Sequence, residues 1–122
     1  RIFEKIIGIN LHPAILTEGN EETVRTTRGE IPVIRGSHAI EDAYRKNLPV
    51  SGVTVHQLLP GGVFDTGPII LQEEVSLSEG ESFDEWENRM HQVEYRILPR
   101  ALNRVLGLLR ENIDVSKGDF LW

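Results

Sequence analysis

IIGINLHP, residues 6–13, is short, β-branched and almost wholly apolar until its end, where an amide and an imidazole stand two positions apart before a proline. Such a run predicts a buried strand over Ile6 to His12. Side chains of a strand alternate between faces, so Asn10 and His12 share one. Pro13 has no N–H to donate and ends the ladder. Two outcomes stay open from this stretch alone. Either its polar end frays into solvent, or Asn10 and His12 sit together at a carboxyl strand end, where open α/β sheets bind their ligands.

Working outward, Thr17 to Arg35 mixes charges, glycine and proline without a clear period, and is expected to be a long excursion between elements. SHAIEDAYRKN, residues 37–47, predicts a short helix that stops before Leu48-Pro49, because the residue before proline avoids helical dihedrals. VSGVTVHQL, residues 50–58, alternates, with Val53 and Val55 on one face and Thr54 and His56 on the other. LPGGVFDTG, residues 59–67, is turn chemistry, and PIILQEEVSL, residues 68–77, is a further strand. Ser82-Phe-Asp-Glu85 is a capping box. Behind it Phe83, Trp86, Met90, Val93, Ile97, Ala101 and Val105 recur at helical spacing and predict one apolar face. Pro99 removes one internal hydrogen bond and is expected to kink this helix without ending it. The tail, ENIDVSKGDFLW, is a candidate short strand. Strand, helix, strand, strand and long helix predict an α/β chain around a mixed sheet.

The 122 residues suit one domain, 1–122, with one core. Nineteen acidic residues against 13 basic ones give a net charge of −6, which disfavours binding to a phosphate backbone, so no nucleic-acid partner is expected. The absence of cysteine rules out disulfides and thiolate metal sites and permits a reducing compartment. No apolar run approaches the roughly 18 residues of a membrane span, and no signal peptide is visible, so a cytoplasmic protein without a membrane partner is expected. The first residue is Arg1 rather than Met, which predicts a segment upstream.

The residues able to do chemistry are Asn10, His12, Asp65 and Glu94, with His38, His56 and His91 as competitors. Asp65 lies in a glycine-rich turn, where it either bonds its own turn backbone or is carried to a neighbouring strand end. There it could orient an imidazole and favour its charged form. Glu94 falls about 40° from Met90 and about 20° from Ala101 around a helix, inside the apolar stripe. A carboxylate there must be paired, escape at the edge or meet a polar ligand. His38 is a candidate cap of the short helix, His56 a satisfied structural histidine and His91 a surface residue. The histidines and carboxylates have no metal-ligand spacing, so no metal is expected.

Five stretches occur together in one order: Asn10-Leu-His12-Pro13, Gly36-Ser-His-Ala39, Val50-Ser-Gly-Val-Thr-Val-His56, Asp65-Thr-Gly-Pro-Ile-Ile-Leu-Gln72 and Glu94-Tyr-Arg-Ile-Leu-Pro99. In this the chain resembles the folate-dependent formyltransferase family, specifically the carboxyl-terminal part of its Rossmann-like fold. The resemblance implies formyl transfer from 10-formyltetrahydrofolate, as co-substrate, to the amine of glycinamide ribonucleotide in purine biosynthesis. It implies Asn10, His12 and Asp65 as the catalytic trio. Leu59, Gly61, Gly62, Val63 and Phe64 fall on the folate side, with Pro13 and Glu94 on the acceptor side. Asn10 would stabilise the oxyanion that forms on the formyl oxygen. His12 would be a second donor and proton carrier, held by Asp65 with an ordered water as relay.

Three departures qualify the match. The Thr17–Arg35 stretch (residues 17–35) stands as an insertion loop beside the site, which bears on acceptor identity. LLPGGVFD replaces the family's usual acidic stretch before the Asp. The amino-terminal half, with its glycine-rich phosphate-binding loop, has no counterpart here. The isolated chain is therefore expected to be inactive and to self-associate through an exposed sheet edge. Alternatives are a formyltetrahydrofolate deformylase, another formyl acceptor, or a non-catalytic binding module; the acidic charge argues against methionyl-tRNA as that acceptor.

Overall fold

A computed structural model describes residues 8–58 and 67–111, with side chains as far as residue 107. Its elements are β1 (Gly8–His12), β2 (Thr23–Thr26), β3 (Gly29–Pro32), α1 (Ala39–Arg45), β4 (Val50–Leu58), β5 (Ile69–Ser76) and α2 (Phe83–Glu111). The expected α/β class with one long helix holds. Ile6, Ile7 and the candidate tail strand lie outside the described residues.

Strands β1, β4 and β5 form a three-stranded sheet in that order, and both pairings are antiparallel, so among the described residues the sheet is antiparallel rather than mixed as expected. The central strand β4 is buried along its length except at Leu58. Ile9 and Leu11 of β1 join Val53 and Val55 of β4 in the main core, so Asn10 and His12 turn to the other face. Gly52 lets the chain close over β4 and β5. A Cβ there would lie 2.2 Å from the Glu73 carbonyl oxygen and 2.3 Å from Ile15 Cδ1.

Helix α2 covers the apolar face. Trp86, Met90, Val93, Ile97, Ala101 and Val105 are buried, and Phe83 packs at the cluster's margin, as the spacing predicts. The capping box forms in both directions. Ser82 N donates to Glu85 Oε1 at 3.0 Å, and Glu85 N donates to Ser82 Oγ at 3.2 Å. Pro99 lies inside the helix, which continues to Glu111. Trp86 Nε1 donates to the Ile40 carbonyl at 3.1 Å, and Tyr44 meets Phe83 edge to face at 5.5 Å, so α1 docks on the start of α2. Tyr95, Leu98, Leu102 and Leu106 form an outward apolar stripe on α2.

The Thr17–Arg35 excursion is not irregular along its length. β2 and β3 make a hairpin, with Val24 opposite Ile31 and with Gly29 at φ 101° next to the turn. Ile31 packs with Ile15 and Val50 in a second, small core. The four-residue strands are too short, and their outward residues too polar, to declare a period in sequence. The hairpin turn is docked on β5, where Glu74 accepts from Thr27 N at 3.1 Å and from Thr27 Oγ1.

Candidate active site

The face of the sheet turned away from α2 gathers the polar groups. Asn10 is directly opposite His56, and His12 opposite Thr54, in the β1–β4 ladder. Thr54 is in turn opposite Gln72 on β5. Thr54 and Gln72 hold the segment that follows Pro13. Thr54 Oγ1 donates to the Ala14 carbonyl at 2.7 Å and accepts from Leu16 N at 3.1 Å. Gln72 Nε2 donates to Thr54 Oγ1 at 2.8 Å and to the Leu16 carbonyl at 2.9 Å. With Pro13 unable to pair, these two side chains replace the ladder that the strand has lost.

His12 is buried, and its Nε2 donates to the Ile34 carbonyl at 2.8 Å. A carbonyl can only accept, so Nε2 carries a proton, and in the neutral ring the lone pair falls to Nδ1. Ile34 directly follows the hairpin, so the excursion reaches the candidate site through its main chain. One further bond ties it to β5 and another closes it on itself. Glu18 Oε2 accepts from Ile69 N at 2.6 Å, and Arg35 Nη2 donates to the Gly19 carbonyl at 2.8 Å.

Asn10 Nδ2 lies 3.2 Å from His56 Nε2. The β4–β5 ladder shifts register at this point, pairing Val55 with Leu71 and His56 with Ile69, so Ile70 is an extra residue. Bulges of this kind re-aim side chains beside functional sites. His56 is thus not only a satisfied structural histidine, because its partner is a candidate catalytic amide. Alternation placed it on the face opposite the valines. Its pairing with Asn10 needed the strand register, which one sequence does not display.

Asp65 and the candidate folate residues Leu59, Gly61, Gly62, Val63 and Phe64 lie outside the described residues. The chain returns at Gly67, where a Cβ would lie 1.9 Å from the Gln57 carbonyl oxygen; only glycine fits against β4 there. Glu94 sits at the edge of the α2 stripe, its side chain 17% exposed, and pairs with His91 Nδ1 at 2.6 Å. Of the three fates open to that carboxylate, the structure gives it a partner one helical turn away rather than Asn10 or His12. His91 is exposed, as expected, and is that partner. His38 stands at the α1 N-cap position without a side-chain capping bond, contrary to a capping role; its Nδ1 lies 3.7 Å from Glu41.

Among the described residues no group of three or more His, Asp or Glu is placed to hold a metal ion, and no helix is long and apolar enough to cross a membrane.

Comparison with known proteins places these features in a family. The family model for formyl transferase matches residues 3–102. The phosphoribosylglycinamide formyltransferase of Bacillus subtilis (strain 168) is 32% identical over 100 residues, which are 82% of this chain and 43% of that protein. The human trifunctional purine biosynthetic protein adenosine-3 is 32% identical over 97 residues, 80% of this chain and 8% of that protein. Crystal structures of phosphoribosylglycinamide formyltransferase from Streptococcus pneumoniae TIGR4 and Bacillus halodurans superpose with TM-scores of 0.61 and 0.60, at 34% and 36% identity. Each match covers 80% of this chain, and 45% and 42% of those chains respectively. The chain therefore spans less than half the length of the single-activity relatives it matches. With the family model covering most of its residues, the chain belongs to the formyl transferase family.

Proposed function

We propose that this chain carries the catalytic strand of an enzyme that moves a formyl group from 10-formyltetrahydrofolate to the amine of glycinamide ribonucleotide. The observation that carries the reading is the placement of Asn10 and His12 side by side on the polar face of β1, each side chain fixed by a partner. Both relatives and structural neighbours bear the name of that activity or of its pathway.

In this reading the acceptor amine attacks the formyl carbon and negative charge grows on the formyl oxygen. An Asn10 Nδ2–H, already oriented, stabilises that charge. The C–N bond to the new amine forms, and the bond from the formyl carbon to N10 of the folate breaks. The proton lost by the amine ends on N10, so the protein only relays it. His12 serves this relay through Nδ1, because Ile34 holds the Nε2 proton in either charge state. Asp65 stabilises the charged imidazole. Residues 59 and 61–64 form the folate wall, while Pro13 and Glu94 face the acceptor, Glu94 through its ribose hydroxyls. The hairpin of the excursion stands as an insertion next to the acceptor side. Partners are small molecules, and the site of action is the cytoplasm.

The test is turnover of the full-length protein with 10-formyltetrahydrofolate, with and without glycinamide ribonucleotide, following formylated amine and free formate separately. Formyl on the amine, with little formate when the acceptor is left out, is the expected result. Formate released at the same rate with or without acceptor would make the protein a deformylase.

A further inference from the structure

His56 touches no reacting atom in the mechanism above, yet its ring is a partner of Asn10. Its Nδ1 lies 3.2 Å from the Gln57 carbonyl oxygen, an acceptor only, so Nδ1 carries the proton. In the neutral ring Nε2 is then an acceptor, and it meets Asn10 Nδ2 at 3.2 Å. The residue is 1% exposed. It is held at the β4–β5 bulge, and a Cβ at Gly67 would lie 3.5 Å from Nδ1. Main chain therefore sets the tautomer, and the tautomer sets what Nε2 will accept.

This matters because a side-chain amide has two nearly isosteric ends. Turned over, Asn10 would aim Oδ1 at the Nε2 lone pair and lose the bond. Turned as it is, Nδ2 gives a hydrogen to His56 and stands as the donor end of the amide. We propose that His56 is a positioning residue: its Nε2 fixes which end of the Asn10 amide donates, so the oxyanion donor is set before substrate arrives. The role rests on the formyl-transfer reading; the hydrogen bond itself does not.

The experiment has a spectroscopic arm and a kinetic arm, both on the full-length protein. In ¹⁵N NMR without substrates, His56 is expected to show a protonated Nδ1, an unprotonated Nε2, and a coupling across the hydrogen bond to Asn10 Nδ2. A protonated Nε2, or no coupling, overturns the proposal whatever the activity. In the kinetic arm, His56→Phe keeps a flat ring and loses the acceptor, and is expected to lower kcat roughly tenfold or more with both KM values little changed. His56→Gln places an amide oxygen near the old Nε2 and should restore much of kcat. His56→Asn reaches only to the old Nδ1 and should not. Equal kcat in Gln and Asn variants, or full kcat in Phe, overturns the proposal. If Phe does not fold, the Gln and Asn pair still decides it. A wild type that transfers no formyl group would overturn the parent reading and this role together, while NMR would still settle the pairing.

Discussion

The two faces of the β1–β4–β5 sheet are built on opposite principles. Towards α2, Val53, Val55, Trp86, Met90 and Ile97 are held by burial, which has no direction and depends on volume. On the other face Asn10, His12, Thr54, His56 and Gln72 are held by hydrogen bonds, which depend on the identity of the partner and on which group donates. The first face tolerates changes of shape if volume is kept. The second should fail on the loss of a single atom even when shape is kept. The comparison thus separates stability from chemistry within one sheet only a few residues wide.

The largest expected loss of stability is on the apolar face. Met90→Ala leaves a cavity under α2 and should destabilise the fold by about 2–5 kcal/mol, measured by denaturant unfolding. Met90→Leu, which nearly keeps volume, should cost less than about 1.5 kcal/mol. Equal losses in the two variants would break the distinction from that side.

Thr54→Val makes the opposite test. It keeps shape and removes only the hydroxyl that serves Ala14, Leu16 and Gln72. Stranding those buried groups should cost about 1–3 kcal/mol. A neutral result would mean that the segment after Pro13 does not depend on this network.

Glu94→Gln comes next in size, and it concerns the edge between the faces. Acceptor KM should rise about tenfold, with folate affinity nearly unchanged, if the carboxylate meets ribose hydroxyls. An equal loss for both ligands would make the His91–Glu94 pair a structural one. The smallest effect is at the start of α2. Ser82→Ala should cost about 1 kcal/mol. Main-chain and hydroxyl bonds from Ser82 hold the Glu85 carboxyl below the usual carboxylate range. That contribution is present above the unfolded-state value and fades as pH falls through the lowered one. Glu85→Gln should remove this acid-side slope from an unfolding titration.

How much of this was legible in the sequence follows the same division. Burial leaves a period, so the α2 stripe from Phe83 to Val105, the capping box and the ends of β4 could all be read directly. Asn10 and His12 could be placed on one face because strand alternation is local. Hydrogen bonds between strands leave no such trace. The Asn10–His56 and His12–Ile34 contacts join residues 46 and 22 positions apart and depend on register and on the course of the excursion. The hairpin at Thr23–Pro32 escaped because its strands are short, and only Val24 and Ile31 give apolar side chains to the small core, the buried Thr26 being polar.

The most direct measurement of the central claim is Asn10→Ala in the full-length protein, with steady-state kinetics and thermal unfolding on the same sample. The polar face as a catalytic face predicts a kcat lower by about 10²–10³-fold, with smaller changes in both KM values and a Tm close to wild type. Wild-type kcat with raised KM, or a loss of activity matched by a loss of folded protein, would contradict it.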